Sequence, residues 1–347
     1  MRRFLFMVFG LCLWIPLAAA DSLRDGVAGD YDYLFDLYQH LHRNPELSFQ
    51  EQESAKRMAA ELSSLGFEVT TGVGGHGVVA VMKNGDGPTV LIRTDTDALP
   101  IAEQTGLPYA STATATEQTG RTVNVMHACG HDVHMTVWVG TARRLAAMKG
   151  NWSGTLVMIA QPAEERGAGA RAMIRDGLFT RFPRPDTNLA LHVNAELAAG
   201  QVGLAEGFAF ANVDSVDVTV FGIGGHGAYP HATKDPIVLA AHIVTALQTL
   251  VSREVSPLDP AVVTVGSIHG GEKHNVIPNQ VHLQLTVRSY KDQVRETLLS
   301  GIARIAKSHA QALGFPDDKM PVVKTRDEYT PAAYNTPVLA RHLKAVW

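Results

Sequence analysis

The sequence predicts an α/β protein with two domains, and three observations lead to this fold class. Apolar runs of strand length alternate with amphipathic helical segments through the first half of the chain. The length of 347 residues exceeds that of a typical single domain. The order of the predicted elements then changes after about Asn212, which indicates a second domain.

The first domain is predicted to hold a mostly parallel sheet covered by helices. Apolar residues recur at helical spacing over 31–43 and 51–65, and Gly66 ends the second of these helices. Strands that alternate with helices favour parallel pairing, with helices on both faces of the sheet. The remaining elements alternate in this way: strands at 77–82, 89–93, 155–160 and 189–193, and helices at 132–148 and 168–176.

The second domain is predicted to follow the order βαββαβ, which is typical of the ferredoxin-like arrangement. Its strands are expected at 213–222, 261–268, 281–289 and 320–324, and its helices at 236–255 and 292–313. We therefore predict a catalytic domain over 21–208, an inserted ferredoxin-like domain over 209–325, and the start of a returning catalytic segment over 326–347.

The first 20 residues have the composition of an export signal. Arg2 and Arg3 precede an apolar run over 4–17, and three alanines at 18–20 form a small-residue cleavage site. The apolar run is shorter than a typical membrane-spanning helix. We therefore expect an exported protein, periplasmic or secreted after cleavage of the signal, without a membrane anchor.

The charge balance narrows the class of partner. Without Arg2 and Arg3 of the signal, 28 basic residues stand against 34 acidic residues. A nucleic-acid surface needs a basic stripe, which this mildly acidic chain does not indicate. We expect a small-molecule partner and no nucleic acid.

Cys129 is the strongest pointer to function, because it lies in the segment His-Ala-Cys-Gly-His-Asp-Val-His at 127–134. A thiolate beside imidazoles and a carboxylate is typical of a transition-metal ligand. Cys129 is the single cysteine after the predicted signal, so it has no intramolecular disulfide partner, and an exported free thiol is open to oxidation unless a metal protects it. The alternative is an inert buried cysteine.

Further donors follow the predicted strands at the points where α/β sheets place their sites. Glu164 and Glu165 come after an apolar strand and Pro162, and His192 lies at the end of another strand. Adjacent carboxylates in a tight turn face different ways, so one can bind a metal while the other takes a proton from water. A solvated acidic turn is the alternative interpretation.

Taken together, these motifs resemble those of the peptidase family M20 superfamily of two-metal aminoacylases and carboxypeptidases. The resemblance runs from about His42 to the last residue. The nearest branch is that of the amidohydrolases, which includes hippurate hydrolases, N-acyl-amino-acid amidohydrolases and auxin-conjugate hydrolases. The matching motifs lie at 93–100, 127–132, 161–165, 191–193, 224–231 and 274–278.

The resemblance implies two divalent metal ions and a role for each donor. Cys129 would bridge the two metals, His131 and His192 would complete one metal, Glu165 would bind the other, and Glu164 would be the general base. The donors suit Zn²⁺, Mn²⁺, Co²⁺ or Ni²⁺ better than Ca²⁺ or Mg²⁺, and the sequence leaves the choice open. Two residues of the first motif, Asp95 and Asp97, would orient the ligands, with direct ligation as the lesser alternative.

The resemblance also implies that the second domain serves as a lid and pairs two subunits into a homodimer. His226 would stabilise the oxyanion in the site of the partner subunit. Asn275 and Arg288 would bind the carboxylate of the substrate, a task that suits the guanidinium fork of arginine.

One ligand of the superfamily has no match in the chain. The superfamily supplies a final histidine from a segment after the second domain, and this chain stops at Trp347 within a predicted helix. His342 lacks the expected loop context, and we do not take it as the substitute. We interpret the chain as truncated, and it is then expected to be catalytically incomplete.

The leading hypothesis is a metal-dependent amidohydrolase that cleaves N-acyl-amino acids. A dipeptidase or carboxypeptidase on the same scaffold is the first alternative, because the sequence does not separate acyl from aminoacyl specificity. A thiol hydrolase with Cys129 as nucleophile would leave the glutamate pair and His192 without a role. A metal-binding protein without catalysis is the non-enzyme alternative.

Overall fold

The computed structural model describes residues 17–327 and 329–346, with side chains from residue 23 onward. The chain divides into two compact units, with the boundary between Asn194 and Ala195. The predicted boundary at residues 208 and 209 lies further along the chain. Most of the predicted export signal and Trp347 lie outside the described residues, and residues 17–20 begin the first helix.

The first unit contains helices on both faces of a five-stranded sheet. Its helices are α1 (Leu17–Arg43), α2 (Gln52–Ser64), α3 (His131–Ala147) and α4 (Gly169–Arg175). Its strands are β1 (Glu68–Val73), β2 (Gly77–Asn84), β3 (Thr89–Asp95), β4 (Thr114–Thr116), β5 (Thr122–Asn124), β6 (Gly154–Gln161) and β7 (Thr187–Ala190).

The α/β fold class is confirmed, although the sheet is mixed rather than mostly parallel. The strand order is β1-β2-β6-β3-β7. Strand β3 is parallel to both β6 and β7, whereas β2 is antiparallel to β1 and β6. The short connection at 74–76 joins β1 to β2, and so short a connection joins only antiparallel neighbours. The two parallel pairings place the ends of β3, β6 and β7 at one edge of the sheet.

Strand β2, between β1 and β6, is buried on both faces, which fixes the sheet between two layers of helix. Val78 and Ala80 pack in a cluster with Met58 of α2 and Met135 of α3. Val79 points to the opposite cluster, which includes α4. Side chains of a strand alternate between faces, so an almost continuous apolar run satisfies both layers at once.

The second unit has the predicted βαββαβ order, built on a four-stranded antiparallel sheet. Its strands are β8 (Gly207–Phe210), β9 (Asp214–Phe221), β10 (Gly225–His226), β11 (Ala261–His269), β12 (Val276–Ile277), β13 (Gln280–Ser289), β14 (Val322–Thr325) and β15 (Ala333–Asn335). Its helices are α5 (Pro236–Thr249), α6 (Asp292–Ala312) and α7 (Pro337–Val346). The sheet order is β11-β13-β9-β14, while β10 pairs with β12 and β15 with β8.

Helices α5 and α6 cover one face of this sheet. Asp235 caps α5 by accepting hydrogen bonds from the backbone N–H groups of Ile237 (2.8 Å) and Val238 (3.4 Å), with Pro236 at the first helical position. Leu239 of α5 and Leu298 of α6 are fully buried in the shared core. The unit therefore has a hydrophobic core of its own.

One helical stretch among the described residues, Pro236–Glu254, is long and apolar enough to cross a membrane by length and composition. It comprises α5 and the π-helical turn that follows. Leu239, Ile243 and Leu247 of this stretch are fully buried against the sheet. A helix in the core of a globular unit meets the same criteria of length and composition.

Candidate metal centre

The predicted donors of the first unit lie together at the edge where β3, β6 and β7 end. Asp95 is the last residue of β3, Glu164 and Glu165 follow β6, and His192 follows β7. Cys129 precedes the first turn of α3, which begins at His131. Parallel strands bring their carboxyl ends to the same edge, so residues far apart in sequence meet there.

His131 is the centre of this cluster. Its side chain is fully buried, and Nδ1 donates a hydrogen bond to the carbonyl oxygen of Asp97 (2.7 Å). The other ring nitrogen, Nε2, lies 3.9 Å from Oε2 of Glu164 and 3.8 Å from Oε1 of Glu165. A histidine whose one nitrogen is held by a carbonyl presents the other nitrogen in a fixed direction, which is the arrangement found around protein-bound metals.

The adjacent carboxylates and the thiol complete the set of donors. Sγ of Cys129 lies 3.4 Å from Nε2 of His192. Three groups have ligand atoms within 4.8 Å of one another, and His131 belongs to all of them: with Cys129 and His192, with Glu164 and Glu165, and with Asp95 and His134. One thiol, imidazoles and carboxylates at this spacing are the ligands that transition-metal ions prefer.

Unpaired buried atoms test whether a cation fits. In the described part of the chain, His131 Nε2 and Glu165 Oε1 are buried without a hydrogen-bond partner. Oδ2 of Asp95 lies 2.8 Å from Nη1 of Arg93 and 3.7 Å from His131 Nε2. Buried polar atoms are normally paired. His131 Nε2 and Glu165 Oε1, which lie 3.8 Å apart without a hydrogen-bond partner, fit a bound divalent cation between them.

The electrostatics of the cluster point the same way. Burial alone would lower the pKa of His131, but hydrogen bonding to Asp97 and the nearby carboxylates raise that pKa to about 11. The neighbouring imidazoles of His131 and then His192 lower the pKa of the Cys129 thiol. Burial raises the pKa of Glu165. The surroundings therefore favour positive charge at His131 and a thiolate at Cys129. The same negative surroundings favour a bound metal cation.

Asp97 fixes the glutamate turn. Its Oδ1 accepts from the backbone N–H of Glu164 (3.0 Å), and its Oδ2 accepts from the N–H of Glu165 (3.1 Å) and from the hydroxyl of Ser48 (2.6 Å). The Asp97 side chain is completely buried. Asp97 therefore contacts both the backbone of the glutamate pair and the ring of His131. The resemblance implied that Asp97 orients the ligands, and these are the contacts through which it would do so.

His134, the last residue of the segment 127–134, also lies in the cluster. Its side chain is buried, Nδ1 donates to Oδ1 of Asp95 (2.7 Å), and Nε2 accepts from the backbone N–H of Val193 (2.9 Å). Both ring nitrogens are thus occupied, which leaves His134 as a support rather than a metal ligand. The signal was its position three residues after His131, on the same helix face.

A second buried network involves Asp132, in the first turn of α3. Oδ2 of Asp132 is 2.6 Å from Nδ1 of His42, and Nε2 of the same ring is 3.0 Å from Oε1 of Glu103. The sequence analysis gave His42 no role in the site. The network ties α1 and the segment around Glu103 to the helix that begins with His131.

The predicted substrate residues lie in the second unit. His226 of β10 is exposed, and its Nδ1 accepts from the N–H of Ala228 (3.1 Å). The neighbouring Gly227 donates to the carbonyl of Asn275 (2.8 Å), so His226 and Asn275 lie close together. Arg288 is exposed near the far end of β13, roughly 25 Å from the start of that strand at about 3.3 Å per residue. The roles of these three residues stay predictions.

An α/β sheet whose strand ends gather a thiol, imidazoles and paired carboxylates defines a class of metal-dependent hydrolase. The chain matches the sequence model of Peptidase family M20/M25/M40 over residues 91–295, and it belongs to this family. It is therefore a hydrolase of a family whose members cleave amide bonds.

Relatives and a solved structure agree with this assignment. A hippurate hydrolase of Campylobacter jejuni is 40% identical over 280 residues, which cover 80% of this chain and 70% of that protein. Thermostable carboxypeptidase 2 of Saccharolobus solfataricus is 33% identical over 320 residues, covering 89% and 78%. The crystal structure of a dinuclear metal-binding peptidase of the M20 family from Bacillus subtilis superposes with a TM-score of 0.74 at 31% identity, covering 92% of this chain and 79% of that chain.

Gly130 separates Cys129 from His131, and its replacement tests how the donors are aimed. Gly130 has φ 79°, and a Cβ there would lie 2.4 Å from Cγ2 of Val193. We expect Gly130→Ala to lower the free energy of unfolding by about 1–3 kcal/mol and to weaken metal binding by at least about tenfold. Denaturant unfolding and metal titration measure the two effects.

Gly66→Ala is the matched control. Gly66 has φ 84°, but a Cβ there would contact nothing within 4 Å, and the residue follows α2 outside the cluster. This variant should lose stability and keep its metal affinity. Equal metal affinities in the two variants would show that the turn at Gly130 does not aim the ligands.

Proposed function

We propose that the protein hydrolyses the amide bond of N-acyl-amino acids, with two divalent metal ions and Glu164 as the general base. The observation that carries this proposal is the glutamate pair. Both carboxylates lie within 4 Å of His131 Nε2, but the Glu164 side chain is 36% exposed and that of Glu165 is 20% exposed. The two neighbours thus differ in their access to solvent and substrate.

The residues that would hold the metals follow from the donors and their distances. Cys129, His131 and His192 form one group of donors, and Glu165 forms another with His131 and Glu164. On the roles that the resemblance implies, Cys129 would serve both metals, His131 and His192 would hold one, and Glu165 the other. When bound, such ions lower the pKa of a water molecule and polarise the carbonyl group of the substrate. Zn²⁺, Mn²⁺, Co²⁺ and Ni²⁺ all suit these donors.

The proton path uses Glu164. Its carboxylate would accept the proton of the attacking water at one oxygen and later donate that proton to the leaving nitrogen of the amino acid. Asp97 accepts a hydrogen bond from the backbone N–H of Glu164, which fixes the backbone position from which the Glu164 side chain extends. Stabilisation of the oxyanion by His226, and binding of the substrate carboxylate by Asn275 and Arg288, belong to the same proposal.

The relatives support an N-acyl-amino acid and also keep the first alternative open. The hippurate hydrolase is more similar in sequence than the carboxypeptidase, 40% against 33% identity. A dipeptidase or carboxypeptidase activity differs in one requirement, because a free α-ammonium group of the substrate would need a partner of opposite charge.

A matched pair of substrates tests this difference. N-(3-phenylpropanoyl)glycine and phenylalanylglycine share every group except the α-ammonium. On the full-length protein, kcat/KM for the acyl compound should be at least about tenfold higher, the scale of one unpaired buried charge. The opposite preference would establish the peptidase alternative.

Chelation should abolish activity and added metal should restore it. Activity that survives chelation and is lost on alkylation of Cys129 would instead establish the thiol hydrolase.

Substitution of Glu164 and substitution of Glu165 are expected to have different effects on metal content and turnover. In Glu164→Gln both metals should stay bound while kcat falls by about 10²-fold or more, since only the proton acceptor is lost. In Glu165→Gln the metal content should fall as well, because a ligand is replaced. Metal analysis beside steady-state kinetics separates the two variants, which serve as controls for each other. Equal loss of metal from both would contradict the assigned roles.

We further propose a homodimer in which His226 of one subunit acts in the site of its partner. Glu164→Gln and His226→Ala homodimers should then each be nearly inactive. When the two are mixed and allowed to exchange subunits, about half of the dimers hold one intact site, and activity should approach about a quarter of wild type if sites are independent. A mixture that stays inactive, with exchange verified by mass, would place His226 in its own subunit or outside catalysis.

A further inference from the structure

The turn that carries Glu164 and Glu165 is tied down through three successive backbone N–H groups. The N–H of Ala163 donates to Oε1 of Glu51 (2.7 Å), and the next two donate to the carboxylate of Asp97. Two buried carboxylates therefore hold one short stretch of backbone. Asp97 belongs to the first motif of the site, whereas Glu51 precedes α2 and has been assigned no role.

Ala163 is the point at which this turn is strained. Its φ is 47°, in the left-handed region that residues other than glycine rarely adopt, and the residue is completely buried. Such a conformation persists only where the surroundings hold it. The carbonyl of Ala163 accepts from the N–H groups of Ala168 (3.2 Å) and Gly169 (3.1 Å), and Glu51 holds its N–H. Both polar groups of the strained residue are thus fixed.

Glu51 could instead serve its own helix, but another residue does that work. Glu51 is the residue before α2, and its side chain makes no capping hydrogen bond to that helix. The free N–H groups of Glu53 (3.1 Å) and Ser54 (2.7 Å) donate to the carboxylate of Glu46. The carboxylate of Glu51 is left to bind the turn, more than one hundred residues away in sequence.

We propose that Glu51 is a positioning residue: by accepting from Ala163 N–H it holds the left-handed turn and sets the direction in which Glu164 and Glu165 leave it. The inference rests on the roles proposed above for those two glutamates. A shift of about 1 Å in a catalytic group is enough to cost about 10²-fold in rate. A lost acceptor at Ala163 therefore acts on both the proton acceptor and the metal ligand.

Three variants test the proposal. Glu51→Leu removes the acceptor and keeps an apolar side chain of similar size in the buried space. Glu51→Gln keeps a carbonyl oxygen that can accept from Ala163, and it removes an ionisable group whose pKa burial raises to about 7. Glu61→Leu is the matched control: Glu61 is a buried glutamate of α2 that binds the Tyr33 hydroxyl and Arg57 (both 2.7 Å) away from the turn.

We expect Glu51→Leu to lower kcat at least about tenfold with KM within about twofold, and to weaken binding of the second equivalent of Mn²⁺ or Zn²⁺ at least about tenfold. Glu51→Gln should restore kcat and metal affinity to within about threefold of wild type. Glu61→Leu should lower thermal stability while kcat and metal affinity stay within about twofold of wild type.

Two results would overturn the proposal. One is a Glu51→Leu protein whose kcat and metal affinity match those of Glu61→Leu, which would make Glu51 a stability residue. The other is a Glu51→Gln protein as impaired as Glu51→Leu, which would show that the charge matters and the acceptor does not.

Hydrogen exchange decides the matter if Glu51→Leu does not fold. The Ala163 amide should exchange as slowly as the amides of β6 in both wild type and Glu51→Gln, and exchange at the rate of an exposed loop would refute the contact. Metal titration and hydrogen exchange use no substrate. A wild-type protein that hydrolyses no N-acyl-amino acid would therefore refute the proposed function, while these two readouts would still judge Glu51.

Discussion

The rest of the site depends on the hydrogen bonds that the buried residue Asp97 accepts. Asp97 follows the end of β3, and its carboxylate accepts hydrogen bonds from two backbone N–H groups of the glutamate turn. Its backbone carbonyl oxygen accepts a hydrogen bond from Nδ1 of His131. One residue therefore joins the end of β6 to the start of α3. A charge buried this deeply is stable only when several donors surround it. The geometry of the donors and the stability of this edge of the sheet thus have a common cause.

The same edge concentrates more acidic groups than its own cations neutralise. Asp95, Asp97 and the two glutamates surround His131, and Arg93 pairs with Asp95 and also donates to the side-chain oxygen of Gln161. Carboxylates at this spacing repel one another unless positive charge lies between them. Buried atoms such as Glu165 Oε1 and His131 Nε2 have no hydrogen-bond partner in the described part of the chain. A network with a purely structural role would have paired them, whereas here a bound cation would do so. Local rules of protein stability are usually broken where function requires it.

Much of the fold was predictable because periodicity is a local property. The βαββαβ order of the second unit and the alternation of the first can be read from apolar spacing, and Cys129, Glu164, Glu165 and His192 stood out because donors at strand ends are rare by chance. The antiparallel pairing of β2 was missed because β1 was not among the predicted strands, and the short connection between β1 and β2 is the feature that requires antiparallel pairing. Glu51 also escaped notice, because its partner is a backbone N–H that carries no sequence signal.

The position of Cys129 has an optical consequence. Cys129 is the one cysteine among the residues that the structure describes, and its thiol is free. Thiolate ligands give cobalt and nickel sites strong near-ultraviolet absorption, whereas imidazole and carboxylate ligands do not. Since Cys129 lies 3.4 Å from His192 within the cluster, a thiolate band from the described part of the chain arises from this centre. The thiolate of Cys129 thus provides a spectroscopic signal of metal loading that is independent of substrate and that no other cysteine of the described residues contributes to.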